Sequence, residues 1–202
     1  MPHIHLGIAY EGELDIEPVQ ILIERILEPL CQITIKRKIS PHTGIIGYVS
    51  SYTTIFFVQD CVDIAIYLTD QDESSDDRRG QVIEKIRKVN PLYLDFSAIG
   101  ICDPHFEKWL IVDHNTAKKV FKIENHSVPL PHNDKTPKYQ IATLKNVMKD
   151  NQPSLHEVYN SLARELDIDF VRTNCLDFNV FCENLIEVCK NCLRNKENSK
   201  HN

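Results

Sequence analysis

Between Asp63 and Asp77 the chain reads DIAIYLTDQDESSDD, and Ile64 to Leu68 is an unbroken apolar run rich in strand-forming residues. A short run without polar alternation is the mark of a strand buried on both faces, as in the middle of a parallel sheet. Parallel neighbours need crossover connections, usually helical, so the run commits the chain to an α/β architecture. The run closes on carboxylates. Asp70 and Asp72 stand two apart just past the strand end, where open α/β sheets place their ligand sites and alternate positions can aim side chains the same way. Such oxygens suit hard divalent cations. The same residues also read as a polar turn leading into a helix, so a second acidic feature is needed to raise them to a site.

That second feature lies near the N-terminus. His3 to Ala9 is strand-like and runs into Tyr10-Glu11-Gly12, where the glycine permits a sharp turn and leaves Glu11 at the strand's C-terminal end. Ile16, Val19, Leu22, Ile23, Ile26, Leu27 and Leu30 then recur at helical spacing, with Pro18 in the first turn, where proline is tolerated. If both strands lie in one parallel sheet, Glu11, Asp70 and Asp72 emerge at the same edge. Asp15 suits either a ligand of a second cation or a helix N-cap.

Elsewhere, Ile33 to Arg37 predicts a second strand, and Ser40 to Gly47 a loop. Lys36, Arg37 and Lys38 form a basic patch that fits a charged strand edge or a phosphate contact. Val49 to Val58 fits strand or helix by pattern, and the need for a crossover favours helix. Ser74, three before Asp77, resembles a capping arrangement ahead of Val82, Ile83, Ile86 and Val89. Leu94 to Ile101 predicts the next strand. Asp103-Pro104 then opens short helices, with Trp109 expected in the core.

Asn125 to Pro137 carries three prolines and marks a boundary or functional loop. Helices follow over Tyr139 to Met148, after a Ser154/Glu157 capping box, and after Asp177 as a cap. The division expected is an α/β domain over 1–124, a helical extension packed on it over 125–194, and a disordered tail over 195–202. Cys175, Cys182, Cys189 and Cys192 fall at spacings that line thiols along a core-facing helix stripe, an arrangement unlike the turns of a zinc ribbon.

At 202 residues the chain can bury a core without staples. Its seven cysteines predict reduced thiols, and the absence of a long apolar run or a signal-like N-terminus predicts a cytoplasmic protein without a membrane partner. A net charge of −6 argues mildly against a phosphate backbone as partner, although cations bound by carboxylates invert the local sign.

The ordered set Glu11-Gly12, Asp15 and Asp70-Gln71-Asp72 resembles the TOPRIM domain of topoisomerases, primases and overcoming-lysogenization-defect nucleases. Phe106-Glu107-Lys108-Trp109-Leu110 and Pro137-Lys138 are similar to segments of small stand-alone TOPRIM-like proteins of bacterial anti-phage loci. The resemblance implies a Rossmann-like, mostly parallel sheet flanked by helices, and Mg²⁺- or Mn²⁺-dependent phosphodiester hydrolysis. It makes Glu11 a metal ligand able to act as general base, Asp70 and Asp72 principal ligands, Asp15 a ligand of a second ion, and Lys138 a neutraliser of charge developing on phosphate. Glu73-Ser74-Ser75-Asp76-Asp77 departs from the glycine and basic residues that many relatives carry after the DxD.

A topoisomerase or primase needs further domains, which leaves a nuclease of DNA or RNA in a defence or toxin-like system, with a neighbouring ATPase as an expected partner and self-association open. The rival is a non-catalytic TOPRIM-like subunit of a defence or repair complex. A phosphatase using Asp70 as nucleophile and Asp72 as acid leaves Glu11-Gly12 unexplained.

Overall fold

The computed structural model describes residues 1–12, 16–41, 44–71, 75–123, 137–147 and 153–198. Four strands, β1 (His3–Ala9), β2 (Gln32–Ile39), β3 (Ile64–Asp70) and β4 (Ser97–Cys102), form one sheet in the order β2-β1-β3-β4. Every pairing is parallel, with Leu6 opposite Ile64 in one register and Ala65 opposite Ser97 in the next. The α/β architecture expected from the Ile64 to Leu68 run is therefore the one observed. β3 lies between β1 and β4 and is buried from Ile64 to Thr69.

Strand alternation sends the two sets of side chains to two cores. On one face, Ile4, Leu6, Ile8, Ile64, Ile66, Leu68 and Ala98 pack with apolar residues of α1 (Ile16–Leu27) and of the C-terminal helices. On the other, Ala9, Ala65, Tyr67 and Ile99 meet α2 (Val49–Thr54) and α3 (Arg78–Val89). Gly7 is what lets the second layer close: a Cβ there would lie 2.5 Å from Phe56 Cδ1. The ambiguous Val49 to Val58 segment is helical, entered by a 3₁₀ turn at Ile45–Tyr48 and extended by a π turn at Ile55–Gln59. Its buried face is set by Val49, Tyr52, Thr53 and Phe56, and Thr53 Oγ1 lies 2.8 Å from the buried Tyr67 hydroxyl.

Helix ends follow local chemistry, with two corrections. The Ser154/Glu157 capping box is present at α7 (Leu155–Glu165). The cap of α3 is Asp77 itself, accepting from the Gly80 N–H, whereas Ser74 lies outside the described residues. Asp177 does not cap the last helix; it sits inside the first turn of α9 (Leu176–Asn198). There it accepts hydrogen bonds from Trp109 Nε1 (2.6 Å), Lys108 Nζ (3.0 Å) and the Asp103 N–H (3.2 Å). Burial pushes the Asp177 carboxyl up, but these donors outweigh it and hold the group below the usual carboxylate range. Trp109 is fully buried between Phe181 and Phe178, as its size demands.

The C-terminal helices pack on the sheet as expected, on the same face as α1. α4 (Glu107–Ile111), α5 (His114–Phe121), α6 (Pro137–Val147), α7, α8 (Ile168–Asn174) and α9 share one continuous core with β1, β3 and β4. α9 runs along β4, where a Cβ on Gly100 would fall 2.3 Å from Leu68 Cδ2 and 2.9 Å from Phe181. It also protects that strand's outer edge: Asn184 Oδ1 accepts from the Ile99 N–H at 2.9 Å, and Arg79 Nη1 donates to the Ile99 carbonyl at 2.9 Å. The helix continues past Arg194 to Asn198, so 195–198 belong to the fold and not to a tail, and Lys196 Nζ reaches Asp63 Oδ2 (2.7 Å) and the His3 carbonyl (3.0 Å). Cys175, Cys182, Cys189 and Cys192 are all buried, as the stripe predicts.

Asp177→Ala should lower stability by about 3 kcal/mol, because it strands the buried Trp109 and Lys108 donors. Asp177→Asn, which keeps an acceptor, should cost less. Urea midpoints of the two variants unchanged from wild type would remove Asp177 from this role.

Candidate functional site

In the order β2-β1-β3-β4 the chain winds one way from β1 to β2 and the other way from β1 through β3 to β4, so the strand order reverses between β1 and β3. Open α/β sheets bind ligands at the carboxyl edge of such a reversal. Glu11 and Asp70 stand there, one beyond the end of β1 and the other at the end of β3. Gly12 has φ 83°, a left-handed conformation that turns the chain sharply after Glu11.

The Glu11 carboxylate joins three segments. Its Oε1 accepts from the Thr69 hydroxyl (2.8 Å) and the Ile45 N–H (3.0 Å), and its Oε2 accepts from the Asp70 N–H (3.2 Å). Two of these donors belong to the end of β3 and the third opens the 3₁₀ turn before α2. Oε2 therefore keeps a lone pair for another partner.

Asp70 faces the residues that follow β4. Its Oδ1 accepts from the Phe106 N–H (3.0 Å), and its Oδ2 lies 3.5 Å from His105 Nδ1. Glu107, only 6% exposed, accepts from the Tyr159 hydroxyl at 2.8 Å. Burial, and then the nearby charges of Glu107 and Glu11, push the Asp70 carboxyl up to about 7, while His105 and the Phe106 N–H pull the other way. Asp70 thus feels the charge of two other carboxylates, one on the loop after β1 and one buried in α4.

The sequence-predicted residues divide accordingly. Glu11 and Asp70 are brought together, backbone against side chain. Asp15 and Asp72 lie outside the described residues. Lys138 is exposed on α6, a helix that packs on α4, and no described hydrogen bond or ion pair joins it to Glu11 or Asp70. Among the described residues no three His, Cys, Asp or Glu side chains form a ready-made metal site. Thr69, His105 and Glu107 were missed as site residues. The strand-end rule that selects Asp70 would also have selected the loop after β4, the next parallel strand, where His105 and Glu107 stand.

No family profile, curated protein sequence or solved structure matches this chain. Fold and rim together define an α/β protein with an acidic site at the reversal of a parallel sheet. Among the described residues no helix is long and apolar enough to cross a membrane.

Because the folded chain holds the Asp70 proton to a higher pH than the unfolded chain does, this group's contribution to stability is full below about pH 4 and falls as pH rises toward 7. Asp70→Asn should therefore match wild type near pH 4 and exceed it at pH 8 by up to about 4 kcal/mol in chemical denaturation. Parallel stability–pH curves would mean that the carboxyl is not under strain. Thr69→Val, which removes one donor to Glu11 from a buried position, should cost about 1–2 kcal/mol by the same measurement.

Proposed function

We propose that the chain is a Mg²⁺- or Mn²⁺-dependent nuclease of the TOPRIM type, acting on DNA or RNA. The observation that carries this reading is the meeting of Glu11 and Asp70 at the reversal of the sheet, with Asp70 under charge repulsion that a divalent cation would discharge. The donor set fits: it is all oxygen, anionic and partly buried, which suits a hard ion. Glu11 through Oε2 and Asp70 through Oδ2 would hold one cation, with Asp72 and Asp15 as the further ligands that the TOPRIM resemblance implies.

A cation bound there polarises phosphate oxygens and lowers the pKa of bound water. The chain's own residues supply the rest. The hydrogen bonds from Thr69, Ile45 and the Asp70 N–H hold Glu11 in one orientation, so it arrives at the reaction already placed. Its one remaining lone pair, on Oε2, would serve either the cation or the proton of an attacking water. The Phe106 N–H fixes Oδ1 of Asp70 and leaves Oδ2 facing His105. Lys138, on a helix against α4, would meet charge on a bound strand. A defence or toxin-like role, with an ATPase partner, is the setting that the resemblance supports.

The second reading, a non-catalytic subunit, draws on the same carboxylate: three internal hydrogen bonds make Glu11 a structural tie that needs no ion. Purified protein incubated with plasmid DNA, single-stranded DNA and structured RNA in Mg²⁺ or Mn²⁺ separates the two. Cleavage should stop with chelator and fall by at least about 100-fold in Glu11→Gln and Asp70→Asn, both of which keep their shapes. If no substrate is cut in either metal, alone or with an ATPase encoded beside it, and calorimetry detects no cation binding, the non-catalytic reading holds.

A further inference from the structure

Outside the acidic rim, two thiols from distant parts of the chain meet in the core. Cys31, between α1 and β2, lies with its Sγ 3.6 Å from Sγ of Cys189 in the middle of α9. Both are buried, Cys31 at 3% exposure and Cys189 at 0%. Four cysteines lie along α8's end and α9, and of these Cys192 also interacts electrostatically with both members of the pair. We propose that Cys31 and Cys189 are a convertible pair, which a hydroperoxide oxidises in the folded protein to a disulfide that fastens α9 to the α1–β2 connection.

The geometry asks little. Disulfide sulfurs lie about 2.05 Å apart, so the two atoms must close by roughly 1.5 Å to bond. Cys31 is the sulfur that reacts first. It is the more exposed of the two, and although burial raises its pKa, the Cys189 thiol and the nearby Lys196 charge act against that rise. Cys189 is held to about 12 by burial and by Cys31. Attack of the Cys31 sulfur on the O–O bond of hydrogen peroxide breaks that bond and gives a sulfenic acid and one water. The Cys189 thiol then attacks that sulfur, forming the S–S bond and releasing the sulfenic oxygen as a second water. Two thiols give up two hydrogens and two electrons, and one peroxide takes them.

The consequence follows from the spacing. The bond would link residues 158 apart in sequence, closing a loop that spans most of the chain and restricting the unfolded state more than the folded one. The helix so fastened covers β4 and carries Lys196, which holds Asp63 at the foot of β3.

The test uses the Cys61→Ser protein, since Cys61 is exposed and would link molecules to each other. Of the seven cysteines in the sequence this leaves six. After treatment of the folded protein with hydrogen peroxide, alkylation under denaturing conditions should mark four of those six, and peptide mapping should find Cys31 joined to Cys189. The melting temperature should rise by about 10 °C and return with dithiothreitol. Adding Cys189→Ala should abolish both the link and the rise. The proposal is overturned if all six thiols remain open to alkylation, if the link joins other cysteines, or if it forms only after urea unfolding. Peptide mapping of the Cys61→Ser protein decides the matter even should the double variant fail to fold.

Discussion

The structure depends on β3 being covered on both faces. A parallel strand with neighbours on either side has no backbone group left for water, and its side chains must find apolar cover above and below. Ile64, Ile66 and Leu68 find it under α1 and α9, and Ala65 and Tyr67 under α2 and α3. Each helical layer is thus a response to one strand. The polar rim is the other half of the same constraint: where β3 ends, at the buried Thr69 and the half-buried Asp70, a hydroxyl and a backbone N–H must find an acceptor, and Glu11 supplies it.

Much of this was legible because it rests on short-range pattern. The Ile64 to Leu68 run, the helical spacing from Ile16 to Leu27, and the Ser154/Glu157 box each express a local rule that the fold had no reason to override. The adjacency of Glu11 and Asp70 was legible for a different reason: strand ends of a parallel sheet share an edge, so two acidic strand ends are neighbours once the strands pair. What pattern could not supply was pairing across the two halves of the chain. Helical periodicity from Leu155 onward shows an apolar stripe, and so predicts helices packed on the sheet, without saying which face receives them. Asp177 obeys the local rule for a cap, but Trp109 and Lys108, almost seventy residues earlier, claim it. His105 and Glu107 belong to the site only because the loop after β4 folds back over Asp70.

Asp70 and Asp177 show how little burial alone decides. Both are drawn out of water, and in both that withdrawal favours the neutral acid. Asp177 is met by an indole N–H, an ammonium and a backbone N–H, and stays ionised. Asp70 is met by one backbone N–H, an imidazole and two other carboxylates, and is held toward the protonated form. A buried acid answered by donors works as a fastening; one crowded by its own kind stores repulsion that only an added positive charge releases. That difference, more than position, separates the structural carboxylate from the candidate functional one.

The sheet also ends in two unlike ways. On β4 the Ile99 amide and carbonyl are already taken by Asn184 and Arg79, side chains from two different helices. On β2 the exposed positions carry Lys36, Arg37 and Lys38. One margin is chemically satisfied and the other electrically repellent, so neither offers an open template to a passing extended segment. The apolar run from Ile64 to Leu68 thus sits between margins that give a growing cross-β stack little foothold.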